Sequence, residues 1–431
     1  MRTPRVGTPA ATRILHLVAD AIGAPLPIRL RAWDGSEAGP DDGPTLVVHN
    51  RRALRHVTWA PGHLGLARAY VAGDLDVEGD MFTFLEAFLQ PAWRAATPSP
   101  STTTWWRLAG TAAGLGALGP RPPLPPEEMR QRAGGRHTKS RDAAAVSHHY
   151  DVSNDFYRVI LGDSMVYSCA YFADGGGQEF AESRLDDAQQ AKLDLVCRKL
   201  ALRPGQRLLD VGCGWGSLAL HAALKYGVEV VGVTLSQAQA DLARRRVRES
   251  GMEQLVQIRL QDYRDVDDDT FDAISSIGMA EHVGRRQFLT YTQRLHDLLR
   301  PGGRLLNHMI ATHEDEHAAN PFFEAYVFPD GELIPLGETV TALESAGFEV
   351  RDVHVLREHY VLTLRHWLER LERGWGDAVL ASSEGRARVW RVYMAASALG
   401  FQQRRLGVNQ VLAVRPTDNG SSGMPLLPVE R

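Results

Sequence analysis

The chain has 431 residues, of which 44% are hydrophobic and 23% charged, and its formal net charge is −4. This composition is that of a soluble globular protein, and the length predicts two domains. No segment approaches the roughly 20 consecutive apolar residues needed to span a bilayer, and the N-terminus lacks the apolar core of a signal peptide. We therefore expect a cytoplasmic protein whose contact with a membrane is peripheral.

The distribution of charge and the cysteine content further restrict which binding partners and which kinds of site are expected. Residues 1–145 carry 17 Arg or Lys against 13 Asp or Glu, a net charge of +4, whereas the remainder carries 31 against 39, a net charge of −8. The positively charged N-terminal part could bind anionic surfaces, whereas the net negative charge of the remainder argues against a nucleic-acid-binding protein. The three cysteines (Cys169, Cys197 and Cys213) show no paired spacing, so we expect neither disulfides nor a metal site.

Residues 1–95 predict a small α/β domain. The segment 28–33 alternates like a strand and is closed by an Asp34-Gly35 turn, and 45–49 is a second strand candidate. Four acidic residues follow at Asp74, Asp76, Glu78 and Asp80. They lack the twelve-residue pattern of a calcium loop, so we expect a solvated loop there.

Residues 96–145 predict a linker, because two Pro-rich stretches break regular structure. Between these stretches lie Trp105 and Trp106, followed by small apolar residues as far as Leu118. A basic cluster comes next and consists of Arg130, Arg132, Arg136, Lys139 and Arg141. Two interpretations stand side by side: the tryptophans contact an anionic lipid interface, or they pack on a domain as part of an ordinary linker.

From residue 146 onward, strand and helix patterns alternate. Strands are predicted near 207–212, 228–234, 254–260, 271–277, 303–311, 348–356 and 407–414. Helices are predicted near 186–202, 216–226, 236–250, 284–299, 338–346, 360–373 and 384–404. This alternation predicts a mostly parallel sheet, covered on both faces, with ligands at the carboxyl ends of its strands. Residues 416–431 are rich in Gly, Ser and Pro and predict a disordered tail.

A glycine-rich turn follows the first of these strands. The run 207–211 ends in Gly212, Gly214 and Gly216, so a ligand can approach the backbone and the start of the next helix. The third glycine comes one residue too early for a dinucleotide fingerprint, and the Lys-Ser/Thr pair of a phosphate loop is missing. The second strand ends in 234–239, which offers no carboxylate to bind a ribose. These features argue against a nicotinamide cofactor and suit a ligand without phosphates.

Several motifs in order carry a family resemblance. Asp210 at the start of the turn and Asp262 after the third strand resemble class I S-adenosylmethionine-dependent methyltransferases. Upstream lie 148–157 (HHYDVSNDFY) and 165–172 (MVYSCAYF), and 233–237 reads VTLSQ. Together with the glycine turn, these segments resemble the cyclopropane-fatty-acyl-phospholipid synthase family, whose relatives include the mycolic acid cyclopropane synthases.

The resemblance covers residues 146 to about 415 and implies an α/β fold with the Rossmann-like seven-stranded sheet of class I methyltransferases. Residues 25–90 also resemble, less distinctively, the N-terminal domain of the phospholipid-acting members. The mycolate enzymes lack that domain, so its presence favours a membrane phospholipid as substrate. We expect the domain to be lipid-associated and the protein to be a homodimer.

The resemblance also implies which residues bind the methyl donor. In such enzymes the glycines lie against the methionine moiety, residues after the second strand hold the ribose, and the third-strand acid meets the adenine. The implied donor-binding residues are Tyr167, Ser168, Asp210, Gly212, Gly214, Gly216, Thr234, Leu235, Gln239, Asp262 and Tyr263. Ser236 with Gln239 also fits a helix capping box, which gives that pair a purely structural interpretation as well.

In this family a methyl group passes from S-adenosylmethionine to a cis double bond of an acyl chain. An alkene is a weak nucleophile, so the sulfonium must be held in line, close and dry, and aromatic faces stabilise the carbocation that forms. A base then removes a proton from the new methyl group. The resemblance implies that this base is bicarbonate, bound by Cys169, Glu281, His308, Tyr360 and the backbone of Ile310.

Each member of this set also has a structural interpretation: Glu281 as a helix cap, His308 as a satisfied core histidine and Cys169 as a packed side chain. The preferred function is formation of a cyclopropane ring, and resolution of the same cation to a methylene or methyl branch would use the same residues. A methyltransferase acting on a small soluble acceptor and a non-catalytic lipid-binding relative are the rivals. Ser397 stands where the family often has a second cysteine, which argues against a covalent cysteine mechanism.

Overall fold

The structure is a computed structural model, and it describes residues 8–94, 109–129, 153–173, 182–312, 320–329 and 331–426. Trp105, Trp106, the basic cluster at 130–141 and the first residues of the 148–157 motif lie outside the described residues. The chain forms two compact units. Unit 1 contains residues 1–130 with Asn320–Val327 and Ser383–Leu399, and unit 2 contains the rest.

Unit 1 is built on a four-stranded sheet with the order β2-β1-β3-β4. Its strands are β1 (Arg29–Ala32), β2 (Glu37–Ala38), β3 (Thr45–Val48) and β4 (Leu75–Glu78). Its first helices are α1 (Ala10–Ile22), α2 (Arg52–Trp59), α3 (His63–Val71) and α4 (Met81–Arg94). Strands β1 and β3 are parallel, and the other two pairs are antiparallel. The structure thus confirms the strands predicted at 28–33 and 45–49.

The acidic stretch around β4 differs from the solvated loop predicted there. Asp74 is buried, and its carboxylate accepts hydrogen bonds from Arg52 Nε at 2.7 Å and Asn50 Nδ2 at 2.8 Å. Burial opposes ionisation of Asp74, but these contacts lower its pKa overall. A buried carboxylate needs such partners. The partners lie at the start of α2, more than 20 residues upstream, so local sequence spacing does not reveal them.

Two later segments complete unit 1: α10 (Pro321–Tyr326) and the first part of α14 (Glu384–Gln402). The hydroxyl of Tyr326 donates to Glu128 Oε2 at 3.0 Å, and Arg68 Nε donates to the same oxygen at 2.7 Å. These contacts join segments that are distant in sequence, so unit 1 is not a contiguous stretch of the chain.

Unit 2 carries the seven strands and most of the helices predicted from residue 146 onward. The strands are β5 (Arg207–Val211), β6 (Glu229–Thr234), β7 (Val256–Leu260), β8 (Phe271–Ile277), β9 (Leu299–Thr312), β10 (Glu349–Val355) and β11 (Leu406–Val414). The helices are α5 (Asn154–Leu161), α6 (Glu182–Leu200), α7 (Ser217–Tyr226), α8 (Gln237–Glu249), α9 (Arg285–Leu298), α11 (Leu336–Ser345), α12 (Arg357–Arg373) and α13 (Trp375–Ala381). Short 3-10 turns lie at Tyr263–Asp265 and Ala280–His282.

The seven strands form one sheet with the order β10-β11-β9-β8-β5-β6-β7. Strands β5 to β9 pair in parallel, whereas β11 is antiparallel to both β9 and β10. This is the predicted mostly parallel α/β sheet. The predicted coverage is confirmed too, because Leu208 and Leu209 point to opposite faces and belong to two separate hydrophobic core clusters.

The predicted disordered tail is partly regular. Residues 416–426 form turns in which the Thr417 hydroxyl donates to the Ser421 carbonyl at 3.0 Å, and Met424 packs against a core cluster. Side-chain hydrogen bonds of Thr, Ser and Asn supply the turn contacts that the composition alone does not predict. Among the helices described, none combines the length and apolarity that crossing a bilayer requires.

Candidate active site

The glycine turn has the geometry that its sequence predicts. Gly212 and Gly214 adopt φ angles of +77° and +54°, which residues with a Cβ rarely tolerate. The backbone N–H groups of Gly212 and Cys213 both donate to the Val233 carbonyl, at 2.9 Å and 3.0 Å. These bonds tie the end of β5 to the end of β6 and leave the turn open above the start of α7.

A cavity lies over this turn, at the carboxyl ends of the parallel strands. Nine of the predicted donor-binding residues line it: Tyr167, Ser168, Asp210, Gly212, Gly214, Thr234, Leu235, Gln239 and Tyr263. They come from the 165–172 motif, the glycine turn, the end of β6 and the 3-10 turn after β7. The structure therefore brings together in one cavity segments that are far apart in the sequence.

Two predicted donor-binding residues do not line the cavity. A Cβ on Gly216 would lie 3.2 Å from the Ala243 Cβ, so this glycine allows α7 and α8 to pack closely. The Asp262 carboxylate accepts from Arg264 Nε at 2.8 Å and from the Arg264 backbone N–H at 2.9 Å. Asp262 thus caps the 3-10 turn, which is a local contact that the position of an acid after a strand does not reveal.

The predicted capping box is half formed. Ser236 Oγ accepts from the Gln239 backbone N–H at 3.2 Å and caps α8. The Gln239 side chain does not return to Ser236, because its Oε1 accepts from the Thr234 hydroxyl at 2.8 Å. Gln239 is therefore both part of the helix start and part of the cavity wall, so the structural and functional interpretations hold together.

Lys192 is a cavity residue that sequence reasoning missed. It lies on α6, it is 1% exposed, and its Nζ donates to Ser168 Oγ at 2.8 Å. Burial lowers the pKa of Lys192 to about 8. A signal was present in the sequence, because Lys192 follows the buried Leu185 and Ala188 at helical spacing and so falls on the apolar face of α6.

The predicted bicarbonate set centres on Glu281 and His308 in unit 2: His308 is buried, and Glu281 is half-buried with its carboxylate oxygen Oε2 inaccessible to solvent. Glu281 Oε1 accepts from the Ile310 backbone N–H at 2.8 Å, and Ile310 lies two residues beyond His308 on β9. Burial raises the pKa of Glu281 to about 7. Burial also lowers the pKa of His308 to about 3, with the nearby ammonium groups of Lys192 and Lys199 adding to the shift, so this imidazole is neutral at pH 7.

Cys169 and Tyr360 meet at a shared backbone group. The Leu356 carbonyl accepts from the Cys169 thiol at 3.6 Å and from the Tyr360 backbone N–H at 3.1 Å. The Leu356 N–H donates to Val408, which pairs with Ile310 across β11 and β9. Cys169 is fully buried, and burial raises the pKa of its thiol well above the usual range. Cys169 is therefore a protonated donor.

A continuous row of aromatic rings runs from the glycine turn to Tyr360. Centroid distances along it are 4.8 Å for Trp215–Tyr157, 5.7 Å for Tyr157–Tyr167, 5.3 Å for Tyr167–Trp367 and 6.1 Å for Trp367–Tyr360. This aromatic row links the donor cavity to one member of the buried polar set. Its ring faces provide electron density without a nucleophilic atom.

The site combines a cavity over the glycine turn with a row of aromatic rings and a set of buried polar atoms. A family model described as mycolic acid cyclopropane synthetase matches residues 137–411. The chain belongs to this family. It is an S-adenosylmethionine-dependent methyltransferase with the class I fold.

The similar proteins include one named as a fatty acid methyltransferase and others named as cyclopropane synthases. The chain is 42% identical to a probable fatty acid methyltransferase of Mycobacterium tuberculosis, over 93% of this chain and 94% of that protein. It is 38% identical to the cyclopropane-fatty-acyl-phospholipid synthase of Escherichia coli, over 66% of this chain and 71% of that protein. The crystal structure of mycolic acid cyclopropane synthase CmaA1 with SAH and CTAB is similar with a TM-score of 0.58 and 34% identity, covering 63% of this chain and 97% of that one.

Proposed function

We propose that this enzyme transfers a methyl group from S-adenosylmethionine to the cis double bond of an unsaturated fatty acyl chain in a membrane phospholipid. The cation that forms loses a proton from the new methyl group, and the product is a cyclopropane ring. The relatives named for fatty acid methylation and for cyclopropane synthesis support the acyl acceptor. The N-terminal unit supports a phospholipid rather than a soluble acceptor.

One observation carries the proposal: two buried polar atoms of the predicted set lack partners. Among the described residues, neither Glu281 Oε2 nor His308 Nε2 has a hydrogen-bond partner. The Gln410 amide nitrogen lies 3.3 Å from His308 Nδ1, so in the neutral ring that nitrogen accepts and Nε2 donates. The interior thus offers one acceptor, on Glu281, and one donor, on His308, both without a partner.

These two atoms fit an oxyanion that bears a hydroxyl group. Bicarbonate would donate its hydroxyl to Glu281 and accept at another oxygen from His308. The Tyr360 hydroxyl would be a further donor, and so would the Cys169 thiol once its hydrogen turns away from the Leu356 carbonyl. A buried anion requires several such partners, because desolvation alone would expel it. When bound, bicarbonate would supply the base that takes a proton. The proposed roles of Cys169, Glu281, His308, Ile310 and Tyr360 are therefore to hold and orient that base.

The donor and the aromatic row account for the remaining chemistry. The S–CH₃ bond of the donor breaks with its electron pair on sulfur, and the alkene π pair forms the new C–C bond. The positive charge left on the neighbouring carbon requires stabilisation without capture, which the faces of Tyr167, Trp367 and Tyr360 are suited to give. The C–H pair of the departing proton then closes the ring.

Resolution of the same cation into a methylene group, later reduced to a methyl branch, is the second candidate. It needs the same donor, the same aromatic faces and the same base, and a relative named as a fatty acid methyltransferase supports it. In this second route a hydride moves with its electron pair from the methyl-bearing carbon to the cationic carbon, and the new methyl group then loses a proton to give C=CH₂. The ring forms without that hydride shift, so product structure distinguishes the two outcomes. A soluble acceptor is disfavoured because the interior around the cavity is lined by aromatic rings.

We propose that a surface of unit 1 contacts the membrane. Arg55 and Trp59 are one helical turn apart on α2, and they contact the segment after residue 109: Arg55 Nε donates to the Gly116 carbonyl at 3.2 Å, and Trp59 Nε1 to the Gly119 carbonyl at 3.1 Å. Trp59 is 53% exposed and Leu118, beside this contact, is 62% exposed. We name these residues, with Arg51, the α2 surface.

The charge around the α2 surface suits an anionic bilayer. The two segments that supply these residues, 51–73 and 109–126, contain no Asp or Glu. An exposed tryptophan and leucine beside arginines combine interfacial burial with attraction to anionic head groups. Anionic phospholipid is therefore the proposed occupant. The expected homodimer is a separate proposal, tested by light scattering in solution.

Co-sedimentation with vesicles tests the α2 surface. Trp59→Ala with Leu118→Ser should weaken binding to phosphatidylglycerol vesicles about tenfold or more, because two interfacial side chains are lost. Leu380→Ser is the matched control, since Leu380 is an exposed leucine of unit 2 at 86% exposure. Equal binding by the double variant and the wild type would overturn the assignment.

Mass spectrometry tests the function itself. Incubation with S-adenosylmethionine and dioleoyl phospholipid vesicles should add one CH₂ to the acyl chain, and NMR of the product should show a cyclopropane ring. A methylene signal instead would select the branching alternative. Absence of any modified lipid, while a small soluble acceptor is methylated, would contradict the proposal.

A further inference from the structure

Three polar residues form a row across the antiparallel part of the seven-stranded sheet. On β11, Gln410 lies directly opposite His308 of β9 on one side and His354 of β10 on the other. Residues that face each other in this way place their side chains on the same face of a sheet. On its other side His308 pairs with the apolar Ile277 of β8, so Gln410 is the polar one of its two strand neighbours. Gln410 is 0% exposed.

The contact between Gln410 and His308 fixes the direction of a hydrogen bond. Gln410 Nε2 lies 3.3 Å from His308 Nδ1, and an amide nitrogen can donate but not accept. His308 Nδ1 therefore accepts. Because burial lowers the pKa of His308 to about 3, the ring is neutral and its one N–H is on Nε2. That Nε2 has no hydrogen-bond partner in the part of the chain that the structure describes, so its N–H can face a ligand.

The opposite orientation of the Gln410 amide would not suit the proposed anion. With Oε1 turned toward His308, Nδ1 would carry the proton and Nε2 would become an acceptor. Glu281 Oε2 is an acceptor as well, and bicarbonate has a single hydroxyl with which to meet the two. The orientation in which Gln410 donates leaves one acceptor and one donor, which an oxyanion with one hydroxyl can satisfy together.

We propose that Gln410 is a positioning residue that holds His308 in the Nε2–H tautomer, so that His308 donates to the bound anion. The inference rests on the proposed bicarbonate site and adds a residue that acts on this site through His308. Gln410 occupies the Nδ1 lone pair and Nε2 carries a proton, so neutral His308 cannot take the proton that leaves the new methyl group. The anion remains the base. A neutral amide suits this task, because a carboxylate would accept from Nδ1–H and add a negative charge beside the anion.

Nitrogen NMR of the histidine side chains measures the tautomer in the full chain, without lipid, methyl donor or bicarbonate. The His308→Asn variant identifies the His308 signals, because they disappear from its spectrum. In the wild type, Nε2 should be protonated and Nδ1 unprotonated between about pH 6 and pH 8. Gln410→Met has a similar unbranched side chain but no donor, so its His308 signals should move toward a mixture of both tautomers.

Kinetics show whether the tautomer matters for the anion. Gln410→Met should raise the half-saturating concentration of bicarbonate about fivefold or more, because a fixed donor is lost. The rate at saturating bicarbonate should stay within about threefold, and affinity for S-adenosylmethionine should be unchanged. Asn409→Leu is the matched control: it removes a buried amide from the same strand on the opposite face, and should leave the His308 signals and the bicarbonate dependence as in the wild type.

Unchanged affinity for S-adenosylmethionine reports that a variant is folded, and Gln410→Leu replaces Gln410→Met if the latter fails this check. A wild-type His308 protonated at Nδ1 would overturn the assignment. The same His308 signals and bicarbonate dependence in Gln410→Met and the wild type would overturn it too, as would equal changes in Asn409→Leu. Wild-type turnover that does not depend on bicarbonate would contradict the proposed function instead, and the NMR spectra would still decide the role of Gln410.

Discussion

The two parts of the active site are built in opposite ways. The donor cavity takes its floor from a contiguous stretch, the glycine turn after β5, which is tied to Val233 by two backbone hydrogen bonds. The buried polar set takes Glu281, His308 and Tyr360 from three separate elements, and the β9–β11 pairing brings those elements together. One part is a local backbone conformation, and the other is a product of tertiary packing.

This difference means that the identity of the bound ligand and the type of reaction are determined by different parts of the site. A glycine turn with positive φ angles admits a ligand close to the backbone, and many methyltransferases with different acceptors can share that feature. The buried set instead presents a defined donor, at His308, and a defined acceptor, at Glu281. We infer that the turn holds the methyl donor and that the buried set decides the fate of the cation. Substitutions in the buried set and in the glycine turn should therefore have different effects on product formation and on affinity for the methyl donor.

The largest effect is expected from the buried set. Glu281→Gln and His308→Ala should each lower product formation about 100-fold or more, because each removes a partner of the proposed base. Affinity for S-adenosylmethionine, measured by calorimetry, should stay within about threefold, since neither side chain lines the donor cavity. Wild-type turnover in both variants would refute the assignment of this site.

The converse change alters the glycine turn. Gly212→Ala forces a residue with a Cβ into φ of +77°, which should cost about 1–2 kcal/mol of stability and weaken donor binding about tenfold. Gly337→Ala is the control, because it lies in α11 with open space around it and should be neutral or stabilising. Equal effects of the two substitutions on donor affinity would contradict a special role for the turn.

A third experiment uses pH to measure burial of Glu281. Its pKa is raised to about 7 in the folded protein, so its contribution to stability is fully present below the unfolded-state pKa and is lost as pH rises through 7. Glu281→Gln removes this loss. The free energy of unfolding of the variant relative to the wild type should therefore increase by about 2–3 kcal/mol between pH 5 and pH 8.

Urea titrations of the ligand-free protein in bicarbonate-free buffer give this difference. Asp272→Asn is a suitable comparison, since the Asp272 side chain is 23% exposed, accepts from the Arg207 backbone N–H and pairs with Arg300 at the surface. If the difference between Glu281→Gln and the wild type does not change with pH, the carboxyl group is not desolvated as the structure indicates.

The smallest effect is expected at Cys169. Its thiol donates to the Ala170 and Leu356 carbonyls, and burial raises its pKa, so it is not a nucleophile. Cys169→Ser keeps a donor at this position and should lower product formation by no more than about tenfold. Complete loss of product with normal donor binding would instead support a covalent cysteine mechanism.

The fold was largely predictable from the sequence, because its elements have clear periodicity. Each of the seven strands predicted from residue 207 onward is present, and alternating residues such as Leu208 and Leu209 divide between two cores. Asp74 was not predictable in the same way. Its partners lie on another element, and nothing in the local pattern distinguishes it from a solvated acid.

The site was predictable where a motif is local and less so where charges pair in three dimensions. The turn glycines at 212 and 214 line the cavity as expected, whereas the Asp262 carboxylate is engaged by its neighbour Arg264. Lys192 was not predicted as a cavity residue, because a lysine within a helix ordinarily faces solvent. Its position on the apolar face of α6 is the one sequence feature that marks it.

Transfer of a deuterated methyl group tests the central claim most directly. The enzyme would be incubated with S-adenosylmethionine carrying a CD₃ group and with oleoyl phospholipid vesicles, and the lipid product analysed by mass spectrometry. Methyl transfer followed by loss of a proton from the new methyl group predicts a product that keeps two of the three deuterium atoms. A product that keeps all three, or labelled soluble material without labelled lipid, would contradict the account.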